Sequence, residues 1–205
     1  MISPGGARSP RTASVSGMSA HTCPWWFAYT FDNRLRRWVH DPTELLGEFV
    51  RPGDTVVDVG CGLGHFTLGM ARLVGPKGRV VAIDLQERMI RGARRRAERE
   101  GLAERIDFRT CSRDDLGRVE GADFVLAFWV VHEVDDQAGF LAQLRTFLKP
   151  RGLLFIAEPR GHVTAARFGA TVDTARRTGY EVVAEPAVRF SRAVVFRAVA
   201  QGEAQ

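Results

Sequence analysis

From residue 54 onward, short unbroken apolar runs alternate with longer stretches in which apolar residues recur every three or four positions. Thr55-Val56-Val57 with Val59, then Arg79 to Asp84, then Gly121 to Phe128 are such runs and read as buried strands. The third of these is expected to continue through Trp129 to Val134. A shorter, more polar strand over Arg105 to Arg109 suits a sheet edge. Between the strands the period changes to that of a helix. Phe66, Leu68, Met70 and Leu73 mark one helix, and Met89, Ile90, Ala93 and Ala97 mark a second over Gln86 to Glu100, which Gly101 caps. Asp136 to Leu148 is amphipathic through Phe140, Leu141, Leu144 and Phe147. Lys149 to Gly152 then turns into a strand over Leu153 to Glu158. Val163 to Thr178 reads as a helix ended by Gly179, and Tyr180 to Ala184 pairs with Arg189 to Ala198 as a terminal hairpin. Upstream, Asp41-Pro42-Thr43-Glu44 is a helix start with Asp41 as N-cap and Glu44 reaching back. Leu45, Leu46, Phe49 and Val50 give that helix its apolar face, and Arg51-Pro52-Gly53 stops it. Strand and helix in alternation make an α/β fold.

The first strand gives way at once to Gly60, Gly62 and Gly64. Glycine permits a turn with positive φ and the close approach of a ligand, and the helix start beyond it offers unpaired N–H groups. In that order these parts read as a nucleotide site. Spacing narrows the ligand. The dinucleotide fingerprint asks for G-x-G-x-x-G/A, but here the last position is His65 and the third glycine stands one residue early. The second strand ends in Asp84, where a carboxylate accepts from ribose hydroxyls. Asp84 would serve a nicotinamide dinucleotide equally well, so a dehydrogenase stays open on this residue alone.

Asp58-x-Gly60-x-Gly62-x-Gly64, together with Asp84 and the Leu148-Lys149-Pro150-x-Gly152 turn, resembles the motifs of class I S-adenosylmethionine (SAM)-dependent methyltransferases. The stretch around Val131-His132-Glu133-Val134 is similar to the small-molecule branch that includes ubiquinone and menaquinone C-methyltransferases. The resemblance runs from about residue 41 to 198. It implies a three-layer, doubly wound α/β fold whose seven-stranded sheet has the order 3-2-1-4-5-7-6, with the last strand antiparallel. It also implies SAM as cofactor, S-adenosylhomocysteine as product, and in-line methyl transfer to a small-molecule acceptor. On this likeness Asp58, Gly60, Cys61, Gly62, Gly64, Asp84, Leu85, Cys111, Ser112 and Phe128 line the cofactor site. Many members hold adenine with an Asp after the third strand; Ser112 stands in that place here, so its hydroxyl or a backbone carbonyl substitutes. Asp114 and Asp115 are expected as helix-cap and surface acids. Ligands of open α/β sheets bind beyond the carboxyl ends of the strands, which directs His132, Glu133, Glu158 and His162 at the acceptor. The Asn/Asp-Pro-Pro-Tyr and Pro-Cys motifs of base-modifying enzymes are absent. A non-catalytic SAM-binding module remains the rival from another class.

Composition changes this picture little. With 205 residues, 45% hydrophobic and 26% charged, the chain suits one domain with short extensions. The formal net charge of +5 invites a nucleic-acid reading. Much of the surplus lies at Arg8, Arg11 and the helix from Arg88 to Arg99, which a solvated face explains more simply. Cys23, Cys61 and Cys111 are too widely spaced for a zinc site and favour free thiols in a reducing compartment, hence a cytoplasmic protein with no metal. No apolar run is long enough to span a membrane. Residues 1–20, rich in Ser, Gly, Pro and Arg, read as a disordered tail, and 199–205 as a short C-terminal one. Residues 21–40 are different, gathering Trp25, Trp26, Phe27, Tyr29 and Phe31. They read as a hydrophobic strap on the domain edge or as a lid over the site, with Tyr29 among the catalytic candidates.

Overall fold

The computed structural model describes residues 40–199. The helix start at Asp41 forms as its sequence suggests: the Asp41 carboxylate accepts from the N–H of Thr43 at 2.7 Å and of Glu44 at 3.4 Å, and Pro42 opens α1 (Pro42–Leu46). Regular helix ends at Leu46, but Phe49 and Val50 still donate to the Leu46 carbonyl, which keeps the apolar face on the core. α1 closes on α2 (His65–Leu73) at Gly69, where a Cβ would stand 2.2 Å from the Pro42 Cβ.

Seven strands follow: β1 (Thr55–Val59), β2 (Arg79–Asp84), β3 (Ile106–Thr110), β4 (Ala122–Phe128), β5 (Leu148–Pro159), β6 (Tyr180–Ala184) and β7 (Ser191–Ala198). They form one sheet of order β3-β2-β1-β4-β5-β7-β6, parallel except that β7 runs against both neighbours. This is the order and polarity expected, with the polar strand β3 at an edge. Because successive side chains of a strand point to opposite faces, the core divides in two. Val56, Ala82, Phe124 and Leu126 pack with α2 and α3 (Glu87–Arg99). Val57, Val81, Val125 and Leu154 pack with α4 (Gln137–Phe147) and α5 (Ala165–Arg177).

Two boundaries differ from expectation. β4 stops at Phe128 and does not run on to Val134. Trp129 adopts φ 63°, donates its N–H to the Ala157 carbonyl at 2.8 Å and turns the chain into a short 3₁₀ turn, Val131–Glu133. The turn expected over Lys149 to Gly152 is instead a bulge inside a longer β5: Ala122 pairs with Leu148, but Phe124 already pairs with Leu153. Arg151 takes φ 65° there, and Lys149 reaches Asp123 at 2.6 Å. No helix starts at Asp114 or Asp115; Asp115 accepts from the Gly117 N–H at 2.8 Å within a loop. Among the described residues no helix is long and apolar enough to cross a membrane.

Candidate functional site

The carboxyl ends of β1, β2 and β4 meet around the glycine turn. After β1 the chain hooks over β2, with the N–H groups of Gly60 and Cys61 both donating to the Ile83 carbonyl, at 2.8 and 3.1 Å. Asp84, at the end of β2, then takes the turn's next N–H: its Oδ2 accepts from Gly62 at 2.8 Å and its Oδ1 from Gln86 at 2.8 Å. Burial raises the Asp84 carboxyl above its ordinary value, although both N–H groups favour the anion. A Cβ at Gly60 would strike Val130 at 2.9 Å, and one at Gly64 would press on Ala93 at 3.0 Å and Leu68 at 3.1 Å. A Cβ at Gly62 would meet nothing within 4 Å. The protein therefore leaves open the space above Gly62, beside the Asp84 carboxylate.

The remaining residues assigned to this half take different positions. Asp58 is buried and accepts from the Thr67 hydroxyl at 2.5 Å, tying β1 to the first turns of α2. Cys61 is buried, and burial with the nearby charges of Asp58 and Asp84 pushes its thiol well up. Cys111 is half-buried, its thiol pushed up to about 11 by burial and by Asp84, so both sulfurs stay protonated at neutral pH. Leu85 is exposed beyond Asp84. Ser112 spends its hydroxyl locally, accepting from the Asp115 N–H at 3.1 Å. The Phe128 ring is core, 4.3 Å from Phe66 and 5.2 Å from His40 between centroids.

A second cluster sits on the other side of β4. Glu158, at the end of β5, is 1% exposed. Its Oε1 accepts from the Val131 N–H at 2.9 Å, and its Oε2 lies 2.5 Å from His132 Nδ1. Gln137 Nε2 donates to the Val131 carbonyl at 3.2 Å, and Gln137 Oε1 accepts from the Thr171 hydroxyl at 2.9 Å. Both backbone groups of Val131 are thus held, and with them the turn that carries His132. The exposed His162 ring lies edge-on to His132 at 6.1 Å. Burial opposes a charged His132, but the hydrogen bond and charge of Glu158, with the charge of Glu133, outweigh it and raise the pKa against Arg167. The two clusters are neighbours, because Val130, next to this turn, is the residue packed on Gly60. Tyr29 and the aromatic stretch lie outside the described residues.

Residues 51–187 match the model of the Methyltransferase domain family. The chain belongs to that family. The methyltransferase domain is 32% identical over 124 residues to the ubiquinone/menaquinone biosynthesis C-methyltransferase of Hydrogenovibrio crunogenus, covering 60% of this chain and 48% of that protein. It is 41% identical over 106 residues to the ubiquinone biosynthesis O-methyltransferase of Methylocella silvestris, covering 51% and 40%. The chain therefore spans about half the length, or less, of these curated relatives. A SAM-dependent methyltransferase structure from Aquifex aeolicus superposes with a TM-score of 0.78 at 25% identity, over 87% of this chain and all of that one.

Sequence reasoning missed three contributors within the methyltransferase domain. Trp129 donates from Nε1 to the Ser191 hydroxyl at 2.9 Å, which anchors the sharp exit from β4. Gln137 and Thr171 secure the His132 turn, but as single polar residues on amphipathic helices they carried no signal.

Proposed function

We propose that this chain transfers a methyl group from SAM to a small-molecule acceptor. The observation that carries the reading is the Asp84–Gly62 arrangement: a buried carboxylate fastened to a glycine turn, with open space over the glycine. These residues fit the cofactor. Asp84 keeps lone pairs beyond its two backbone bonds for a pair of ribose hydroxyls, and the turn admits a ligand against bare backbone. When bound, SAM supplies an electrophilic methyl group on a sulfonium. Asp58 and Thr67 hold the turn's two flanks together, Cys61 and Cys111 give neutral walls, and the outward part of Leu85 covers an apolar edge. With the Ser112 hydroxyl engaged in its own turn, a backbone group near Cys111 takes the adenine contact. His132, Glu133, Glu158 and His162 form the acceptor side.

A small acceptor is favoured over nucleic acid by where the arginines go. Arg96 donates to the Leu63 carbonyl, Arg94 lies over the Phe108 ring, Arg91 pairs with Glu87 and Arg105 donates to Ala71. Of the α3 arginines, Arg91, Arg94 and Arg96 are thus engaged on the protein's own surface. The aromatic stretch from Trp25 to Phe31 is assigned to a lid. Its support is His40, which is buried against Phe128 and Trp129 and whose Nε2 donates to the Arg189 carbonyl at 2.7 Å, at the carboxyl edge.

Calorimetric titration with S-adenosylhomocysteine tests the reading. Asp84→Ala should weaken binding by about 1.5–3 kcal/mol, the scale of a charge-assisted hydrogen bond. Unchanged affinity would remove the ribose assignment. Transfer of labelled methyl from SAM to an acceptor panel separates an enzyme from a binding module.

A further inference from the structure

A buried carboxylate must be compensated to be tolerated, and Glu158 is compensated by one backbone N–H and the His132 ring alone among the described residues. A carboxylate on Nδ1 fixes the imidazole tautomer and leaves the lone pair on Nε2. That second nitrogen makes no hydrogen bond among the described residues, and the His132 side chain is 17% exposed. The turn bearing it is clamped at Val131 by Glu158 and Gln137, and it adjoins Gly60 through Val130. A clamped, oriented and accessible imidazole is thus carried on a turn whose preceding residue, Val130, packs on Gly60.

We propose that His132 is the general base of the transfer, that Glu158 positions it, and that the acceptor is a phenol or enol methylated on oxygen. The proposal rests on the methyl-transfer reading above and names its substrate class. Nε2 takes the hydroxyl proton, and the electron pair left on oxygen forms the new bond to the methyl carbon. The methyl–sulfur bonding pair stays on the donor's sulfur as a neutral thioether, and the imidazolium returns its proton to water. Magnitudes select the class. A phenol with pKa about 10 lies roughly three units above an imidazole, a proton-transfer penalty of about 10³ that a positioned base offsets. An aliphatic hydroxyl near the value of water, about 15.7, lies roughly nine units above it. Carboxylic acids are already ionised, and neutral amines attack without losing a proton first. The groups facing His132 are Glu158 from β5, Glu133 from its own turn, Arg167 from α5 and the His162 ring.

The test uses the full chain, labelled SAM, and a series of substituted phenols beside the matching cyclohexanols. Turnover should occur with phenols and not with cyclohexanols, rising with pH through an inflection above the ordinary histidine value of about 6.5. His132→Ala should lower the plateau by about 10²-fold or more while S-adenosylhomocysteine affinity by calorimetry stays within about twofold of wild type. If that variant loses its fold, His132→Gln carries the same expectation. Glu158→Gln should move the inflection to lower pH, because removing the anion destabilises the imidazolium, and should lower the plateau. An NMR titration of the His132 ring without acceptor should show the same downward shift, a readout independent of turnover. Turnover by His132→Ala with an unchanged pH profile, an unmoved His132 titration in Glu158→Gln, or transfer only to acceptors lacking an acidic hydroxyl would each overturn this proposal alone. Failure of the wild-type chain to bind S-adenosylhomocysteine would overturn the methyl-transfer reading, and this proposal with it.

Discussion

Gly60, Gly62 and Gly64 share a positive φ, at 72°, 55° and 82°, yet a Cβ would strike Val130 at Gly60, press on Ala93 and Leu68 at Gly64, and meet nothing within 4 Å at Gly62. The left-handed region costs an L-residue about 1–2 kcal/mol wherever it occurs. At Gly64 the packing against Ala93 and Leu68 adds an overpacking cost of about 1–3 kcal/mol, so Gly64→Ala should chiefly lower stability in urea. At Gly62 only the conformational cost applies, because no protein atom lies in the way. Gly62→Ala should therefore remain folded, losing about 1–2 kcal/mol, and yet lose at least about tenfold in S-adenosylhomocysteine affinity because the methyl enters the ligand's space. Gly62→Val, β-branched and worse in this region, should abolish binding in a folded protein. Normal binding by Gly62→Ala would show that this turn is not the cofactor turn.

α2 shows how one close contact between elements can outweigh local propensity. Gly69 lies inside this helix, where replacement by Ala would ordinarily stabilise by about 1 kcal/mol. Its Cβ would stand 2.2 Å from the Pro42 Cβ and 2.7 Å from Cγ, and a proline ring closing a capped first turn cannot swing aside. Gly69→Ala should consequently destabilise by about 1–3 kcal/mol, measured by urea unfolding; net stabilisation would mean that α1 is not seated on α2 as described. Elements with strong periodicity were legible in the sequence. β1, β2 and α3 carry their burial in the spacing of Val, Ile and Ala, and their ends are glycines or an acid. The ends set by tertiary contacts were not. β4 ends at Phe128 because the Ala157 carbonyl captures Trp129 N–H and Ser191 captures its indole, neither of which a local apolar run through Val134 reveals. β5 begins five residues before Leu153 because Leu148, ahead of the bulge at Lys149 to Gly152, still pairs with Ala122, and Lys149 secures the bulge through Asp123.

Across the whole molecule, the sheet order converts sequence-distant residues into neighbours. Asp84 and Gly62 were legible as a pair because their spacing, across one helix, is local to the first two strands. His132 and Glu158 were legible only as separate strand-end residues; β4 lying beside β5, with Phe128 opposite Ala157, joins them. The first described residue sits at the same edge. His40 packs on Phe128 and Trp129, and its carbonyl oxygen lies 2.8 Å from the buried His65 Nε2. A segment attached at His40 starts from the ligand side, which is the ground for reading Trp25 to Phe31 as a lid. The two readings of that segment separate on deletion. Removing residues through Phe31 takes away none of the strands or core residues among the described residues, so a lid should be lost without the fold. S-adenosylhomocysteine affinity should fall by about tenfold or more and methyl transfer should stop, since water would then reach the acceptor side. The urea midpoint should move little. A strap that only covers apolar surface would give the opposite pattern, a lower midpoint with affinity unchanged, and that result would end the lid assignment.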